Sequence, residues 1–191
     1  MINKKEFTKI RKELETYDKQ REVLINEGRA LLKLSKCMIY SVHRDNLGET
    51  KGLLKQIKAA KFKLDKTAKK TKELSAEPSY SSALQEYAEA FSYYYFVMHK
   101  KLPSKKTLGV NSEDYLLGLC DLTGELGRRA VSLATKREFK EVELIKDTVE
   151  EIYGEFLKFN LRNSQLRRKS DSIKWNLKKL EEIMYDIQNV K

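Results

Sequence analysis

The chain has 191 residues, of which 39 are Lys or Arg and 28 are Asp or Glu, so its net charge is +11. Its eight glycines and two prolines are too few for a β-sandwich, a collagen-like chain or a low-complexity segment, and a hydrophobic fraction of 40% suffices for a core. The positive charge favours a polyanionic partner, with nucleic acid ahead of an acidic membrane surface, although it could also serve solubility alone.

Several classes of protein are excluded by what the chain lacks. Two cysteines, Cys37 and Cys120, cannot build a disulfide framework, and they predict reduced thiols and a cytoplasmic protein. Together with His43 and His99 they lack the spacing of a zinc site, and we expect both histidines in ordinary structural or surface roles. The charged start of the chain predicts no signal peptide, no apolar run predicts a membrane span, and no glycine-rich nucleotide loop occurs.

Hydrophobic periodicity predicts long helices along the whole chain. The clearest loop is segment 102–111, and Ser112 followed by two acids is typical of a helix N-cap. No linker or internal repeat interrupts the pattern, so we predict one all-α domain over residues 1–191, a bundle of about six to seven helices. The six clear helices cover about 4–46, 50–74, 80–100, 113–135, 137–160 and 164–189.

The second predicted helix has a strongly basic face. Nine lysines and one acid lie between residues 51 and 72. The lysines opposite its apolar face could hold phosphates while an aromatic ring among them stacks a base. Alternatively, the face is simply solvated and the ring packs against another subunit. The residues of this lysine face are Lys51, Lys55, Lys58, Phe62, Lys66 and Lys69.

The third and fourth predicted helices avoid charge except for paired acids. Residues 80–98 carry only Glu86 and Glu89, and residues 115–127 carry only Asp121 and Glu125. The spacings i,i+3 and i,i+4 place each pair on one side of its helix. Because buried carboxylates without partners each cost several kcal/mol, something must neutralise them.

A divalent cation is the first candidate for that neutralisation. Mg²⁺ and Mn²⁺ prefer hard oxygen ligands, and facing helices of a bundle can supply them. The fourth helix contains three residues without side chains, which would let another backbone or a substrate approach closely. They are Gly118, Gly124 and Gly127. The absence of Glu-x-x-His motifs disfavours an oxidoreductase site of the di-iron kind.

Ion pairing is the second candidate, and the residue pattern alone leaves both open. Glu125 could pair with Arg128 or Arg129, and Asp121 could pair with a lysine from elsewhere in the chain. The two acids of the third helix could accept hydrogen bonds from its tyrosines, or one of them could be protonated.

Four segments of the chain resemble the translin family. Residues 29–44 are similar to its long first helix, and residues 167–187 to its closing helix. Gln-Glu-Tyr-Ala-Glu-Ala at 85–90 and Asp-Tyr-Leu-Leu-Gly-Leu-Cys-Asp-Leu-Thr-Gly-Glu-Leu at 114–126 are similar to motifs of the branch of translin-associated protein X. These two motifs are the more specific part of the resemblance.

The resemblance implies an all-α bundle that assembles into hollow octamers, and an endoribonuclease. In the branch of protein X, the acids that match Glu86, Glu89 and Asp121 are the catalytic carboxylates, with the match of Glu125 beside them. The translin branch binds RNA but lacks this set of acids. The compact length suggests a homomeric, prokaryote-like version that needs no second subunit.

Residues 79–82 lack the Arg and His that translin carries there, so we expect phosphate contacts from the lysine face, Arg128 and Arg129. Together these features predict a cytoplasmic homo-octamer that cuts single-stranded or unpaired RNA with Mg²⁺ or Mn²⁺. The four acids would be its catalytic residues and its metal ligands. The alternative is a non-catalytic oligomer that binds single-stranded RNA or DNA.

Overall fold

A computed structural model describes residues 2–162 and 164–189. Within these ranges the chain is all-α, as predicted, with eight helices and no strand. The six long helices correspond to the predicted ones, although the second ends at Ala68, six residues before the predicted end at 74. Two single-turn helices occupy connections. The helices are α1 (Lys4–His43), α2 (Leu47–Ala68), α3 (Lys72–Ser75), α4 (Pro78–His99), α5 (Lys105–Leu108), α6 (Ser112–Thr135), α7 (Phe139–Leu157) and α8 (Gln165–Asn189).

The junction of α1 and α2 lies three residues earlier than predicted. Asp45 adopts a left-handed conformation (φ 54°), which Asp tolerates better than most residues and which ends the first helix. Asn46 then caps α2, because its side-chain oxygen accepts a hydrogen bond from the backbone N–H of Glu49 at 3.3 Å.

Two further helix starts differ from the prediction. α4 begins at Pro78, whose fixed φ suits the first helical position, so the proline starts this helix as well as ending the preceding segment. The N-cap of α6 is Asn111 and not Ser112, since the Asn111 side chain accepts from the backbone N–H of Asp114 at 2.8 Å. Asp114 is itself buried and accepts a hydrogen bond from the hydroxyl of Ser81 on α4.

Helix α4 is the centre of the bundle, since it packs against α1 on one side and α6 on the other. α2 covers α1, and α7 and α8 cover α6. The core runs through all of these layers and includes the fully buried side chains of Leu31, Met38, Tyr93, Leu122 and Leu126. Burial of a leucine side chain stabilises the fold by about 2 kcal/mol, so these contacts fix the helix order.

A glycine sets the distance between α4 and α6. A Cβ atom on Gly118 would lie 2.8 Å from the Cβ of Ala88 and 2.9 Å from the backbone oxygen of Gln85. The prediction that a second backbone approaches α6 closely therefore holds at Gly118. No second backbone approaches Gly124, where an added Cβ would meet the side-chain nitrogen of Asn176 at 3.8 Å, or Gly127, where it would meet no atom within 4 Å among the described residues. The approach of a substrate at these two glycines stays a prediction.

The first third of α1 extends beyond the bundle. Residues 4–16 are all exposed, and Phe7, Ile10 and Leu14 form an apolar stripe with helical spacing. On α8, Trp175 and Tyr185 are also exposed. None of the described helices combines the length and the low charge needed to cross a membrane. Cys37 and Cys120 are both free, the first exposed and the second buried.

Candidate active site

The packing of α4 on α6 brings the four predicted acids into one region. Glu86 and Glu89 project from α4, and Glu125 projects from α6 into the same cavity of about 380 Å³. Lys36, Ile39 and Tyr40 of α1 and Arg128 of α6 complete its lining. Asp121, one turn before Glu125, is close enough for its charge to raise the pKa of Glu86 and of Glu89.

Glu89 is the acid with the most unfavourable surroundings. Its side chain is only 8% exposed, and no ion pair to it is found within the described ranges. Burial, followed by the charges of Asp121, Glu86 and Glu125, raises its pKa to about 8. At neutral pH and without a cation, Glu89 is therefore mostly protonated.

The other three acids each contact a cationic side chain. Glu86 lies 3.9 Å from the Nζ of Lys36, and Asp121 is paired with Lys169 of α8. Burial raises the pKa of Glu86 despite the nearby lysine. The ion pair from Asp121 to a lysine elsewhere in the chain is the one that the second interpretation anticipated.

Glu125 is held by two groups. Its Oε2 atom contacts the Nε2 of His43 and lies 3.8 Å from the guanidinium of Arg128. The hydrogen bond from His43 is the main reason why the pKa of Glu125 is lowered, since burial acts in the opposite direction. Of the two arginines considered from the sequence, Arg128 is the partner of Glu125 and Arg129 is not.

The donor chemistry of the four acids fits a hard divalent cation, but their side chains are not gathered around one point. Within residues 2–162 and 164–189, no group of three or more His, Cys, Asp or Glu side chains is arranged to hold a metal ion. The contacts to Lys36, Lys169 and His43 each occupy one oxygen of a carboxylate. The predicted convergence of all four ligands is therefore absent from this arrangement.

Sequence reasoning missed His43, which we expected in an ordinary structural or surface role. It is the last residue of α1, and its side chain, 9% exposed, reaches both Glu125 and Tyr93 of α4. No motif marks it, because only the crossing of three helices brings it to the acids. His99 is exposed and packs on Tyr95, in agreement with the surface role expected for it.

Lys169 was also missed as a site residue. In sequence it is the third residue of the basic cluster 167–169, where it has the appearance of a solvated surface lysine. The packing of α8 on α6 turns its ammonium group to Asp121.

The lysine face of α2 is exposed, and the Phe62 side chain is 73% exposed, which is compatible with both interpretations given for it. Within one chain this face does not adjoin the acids. Lys58 lies over the ring of Phe91, at 5.7 Å from its centroid. At about 100° per residue, Phe91 lies about 160° around α4 from Glu89, on the opposite side of the helix.

The structure gives Arg128 and Arg129 different surroundings, although the sequence made both candidates for phosphate contacts. The Arg128 side chain is 61% exposed and lines the cavity. Arg129 is only 12% exposed and donates to Asp45 at 3.0 Å and to the backbone oxygen of Val42 at 3.4 Å. The guanidinium of Arg129 thus holds the junction of α1 and α2, and the phosphate contact expected of it stays a prediction.

Comparison with known proteins agrees with the resemblance. The sequence model of the Translin family matches residues 19–188. The chain belongs to the translin family. An uncharacterized protein of Methanocaldococcus jannaschii is 30% identical over 183 residues, which cover 91% of this chain and 79% of that protein.

Members of both branches of the translin family are among the relatives. The translin-associated protein X homolog of Schizosaccharomyces pombe is 30% identical over 145 residues, which cover 69% of this chain and 63% of that protein. Translin of Gallus gallus is 37% identical over 75 residues, which cover 39% of this chain and 33% of that protein.

Solved structures share the fold. The crystal structure of apo-NeC3PO superposes with a TM-score of 0.87 at 26% identity, over 95% of this chain and 96% of that one. The complex of AfC3PO with duplex RNA superposes with a TM-score of 0.83 at 23% identity, over 96% of each chain. The predicted family and the predicted all-α fold are thus both confirmed.

Proposed function

We propose that this translin-family chain binds RNA as a homo-oligomer and acts as a Mg²⁺- or Mn²⁺-dependent endoribonuclease on single-stranded or unpaired RNA in the cytoplasm. The observation that carries the proposal is Glu89, a buried carboxyl group surrounded by three further acids. Such a group lowers stability, because the carboxyl must either take up a proton far above its ordinary pKa or bear a charge beside like charges. A bound cation removes that cost.

Glu86, Glu89, Asp121 and Glu125 are the residues that would hold one or two such ions. When bound, the ion lowers the pKa of a water molecule and offsets negative charge on the phosphate that is attacked. Before the ion can bind, Glu89 must lose its proton and the ion pair between Asp121 and Lys169 must break. The released ammonium group of Lys169 would then be free for a phosphate.

The other residues of the cavity have roles toward the RNA. Glu125, whose pKa is lowered, stays ionised and can orient a water molecule for attack by accepting a hydrogen bond from it. Arg128 is exposed in the cavity and can bind a neighbouring phosphate by donating two parallel hydrogen bonds.

The net charge of +11 and the exposed lysine face of α2 support binding of RNA or single-stranded DNA. One structural neighbour, AfC3PO, was solved as a complex with duplex RNA. Exposed apolar side chains on α1 and α8, among them Phe7, Leu14 and Trp175, support self-association, and the octamer expected from the resemblance is the assembly we propose. In such an assembly, the lysine face of one chain could bind the RNA that reaches the acids of another chain.

A second candidate is a non-catalytic oligomer that binds single-stranded RNA or DNA. The ion pairs to Glu86, Asp121 and Glu125 favour it, since they neutralise these acids without a metal ion.

One experiment separates the two candidates. Labelled single-stranded RNA is incubated with the purified chain and either Mn²⁺ or EDTA, and the products are analysed on a gel. We expect cleavage with Mn²⁺ only, and fragments with 5′-phosphate and 3′-hydroxyl ends, because a water molecule is the nucleophile. Cyclic phosphate ends would contradict that mechanism, and binding without cleavage would support the second candidate.

The variants Asp121→Asn and Glu113→Gln provide a matched pair on α6. Asp121 lies in the acid cluster, whereas Glu113 is an exposed acid in the first turn of the same helix. Loss of cleavage with retained RNA binding is expected for Asp121→Asn alone. Equal cleavage by both variants would overturn the assignment of the site.

A further inference from the structure

Two hydrogen bonds connect Tyr93 of α4 through His43, the last residue of α1, to Glu125 of α6. The ring of His43 lies between α4 and α6, with its Nδ1 atom 2.9 Å from the hydroxyl of Tyr93 and its Nε2 atom in contact with Oε2 of Glu125. The rings of His43 and Tyr93 are 4.7 Å apart between centroids. Both side chains are at least nine-tenths buried, so their geometry is fixed by packing.

The donor and the acceptor of each of these hydrogen bonds follow from the chemistry of the side chains. An ionised carboxylate only accepts, so the Nε2–H of His43 donates to Glu125. In this tautomer Nδ1 of His43 carries a lone pair and accepts. The O–H of Tyr93 therefore donates to Nδ1, 2.9 Å away. Both hydrogen bonds then run in one direction, from Tyr93 through His43 to Glu125.

We infer that His43, held in its Nε2–H form by Tyr93, is a positioning residue that fixes one oxygen of Glu125 and leaves the other available to a divalent cation or its water. The contacts found for Glu125 in the described part of the chain all go to Oε2, which leaves Oε1 for this purpose. Such partners of ligating carboxylates are a general means of orienting metal ligands. The inference rests on the proposed function.

A matched pair of variants at one position tests the role of the donor. The amide of glutamine in His43→Gln reaches the place of Nε2 and can still donate to Glu125. The shorter amide in His43→Asn reaches only the place of Nδ1 and keeps only the contact to Tyr93. Mn²⁺ binding is measured by titration calorimetry on the full chain without RNA, so the readout does not depend on cleavage.

We expect His43→Asn to weaken Mn²⁺ binding by about 10- to 100-fold, and His43→Gln to stay within a few-fold of the parent chain. His99→Asn, which replaces the exposed histidine, is the control and should bind Mn²⁺ as the parent does. Thermal unfolding is recorded for each variant. Equal loss in His43→Gln and His43→Asn, or loss that follows the unfolding temperature alone, overturns the inference.

The tautomer of His43 gives a readout that does not require a metal ion. In nitrogen–proton correlation spectra, we expect the Nε2–H form in the parent chain and a loss of that preference in Tyr93→Phe. An Nδ1–H form in the parent overturns the hydrogen-bond assignment. A parent that neither binds Mn²⁺ nor cuts RNA overturns the proposed function, whereas Mn²⁺ binding that is equally strong in His43→Asn overturns this inference alone.

Discussion

The backbone nitrogen of Glu89 lies 3.0 Å from the position that a Cβ atom of Gly118 would occupy. The buried carboxyl of α4 is therefore attached to the backbone at a point where α6 approaches closely. This contact brings Glu89 near Asp121, which follows three residues after Gly118 on α6. The close packing of the two helices and the crowding of their acids thus have the same origin.

The first prediction concerns that approach. Gly118→Ala should lower the free energy of unfolding by about 1–3 kcal/mol, because the new methyl group overlaps Ala88 and the backbone of α4. Gly127→Ala, on the same helix, meets no described atom and should stabilise the chain by up to about 1 kcal/mol through helix propensity. Urea unfolding of both variants checks this, and a neutral Gly118→Ala would show that the helices can separate without cost.

The second prediction is that Glu89 lowers the stability of the chain but is needed for its function. Glu89→Gln should raise the free energy of unfolding of the metal-free chain at pH 8 by at least about 1 kcal/mol, because it removes a buried charge beside three acids. The same variant should lose Mn²⁺ binding and RNA cleavage. Glu113→Gln, which removes an exposed charge, should change neither property. A Glu89→Gln variant that is less stable than the parent would mean that the acid has a stabilising partner.

The third prediction is a pH dependence of stability in the presence of EDTA. Between its ordinary pKa of 4.5 and its folded pKa of about 8, Glu89 holds a proton in the folded chain that the unfolded chain has released. Raising the pH through this range therefore favours unfolding, and stability falls by at most about 1.4 kcal/mol per pH unit. The raised pKa of Glu86 acts in the same direction, whereas the lowered pKa of Glu125 matters only below about pH 4.5.

Urea unfolding from pH 5 to pH 9 measures this dependence. Glu89→Gln should remove most of the slope, since glutamine does not titrate. A parent chain whose stability is flat or rises between pH 5 and pH 8 would contradict the raised pKa of Glu89.

The fourth prediction separates two adjacent arginines. Arg128→Ala should weaken RNA binding and reduce its dependence on salt, with a change in stability of less than about 0.5 kcal/mol, because its side chain is largely exposed. Arg129→Ala should cost about 2 kcal/mol of stability, because it leaves Asp45 and Val42 without a donor. Filter binding at several salt concentrations and thermal unfolding check both. Equal effects of the two substitutions on RNA binding would show that Arg129 also reaches the nucleic acid.

Much of the fold could be predicted from the sequence because helix formation is mostly local. Periodicity and the scarcity of glycine and proline placed the six long helices, and the low charge of two of them marked the buried pair α4 and α6. The errors lie at the ends of the helices, where a single residue determines where the helix begins or ends. Asn111 was one residue away from the predicted cap, and Asp45 ended α1 through a conformation that composition does not reveal.

By itself the sequence determined that this chain is a basic, all-α protein with two pairs of acids on two poorly charged helices, because these properties depend on composition and on spacing along one helix. The tertiary structure decided how those acids are partnered. Lys169, His43 and Glu125 come from three helices far apart in the chain, and no periodicity connects them. Only the packing of α1 on α4, of α4 on α6 and of α8 on α6 brings His43 to Glu125 and Lys169 to Asp121 and leaves Glu89 buried among like charges.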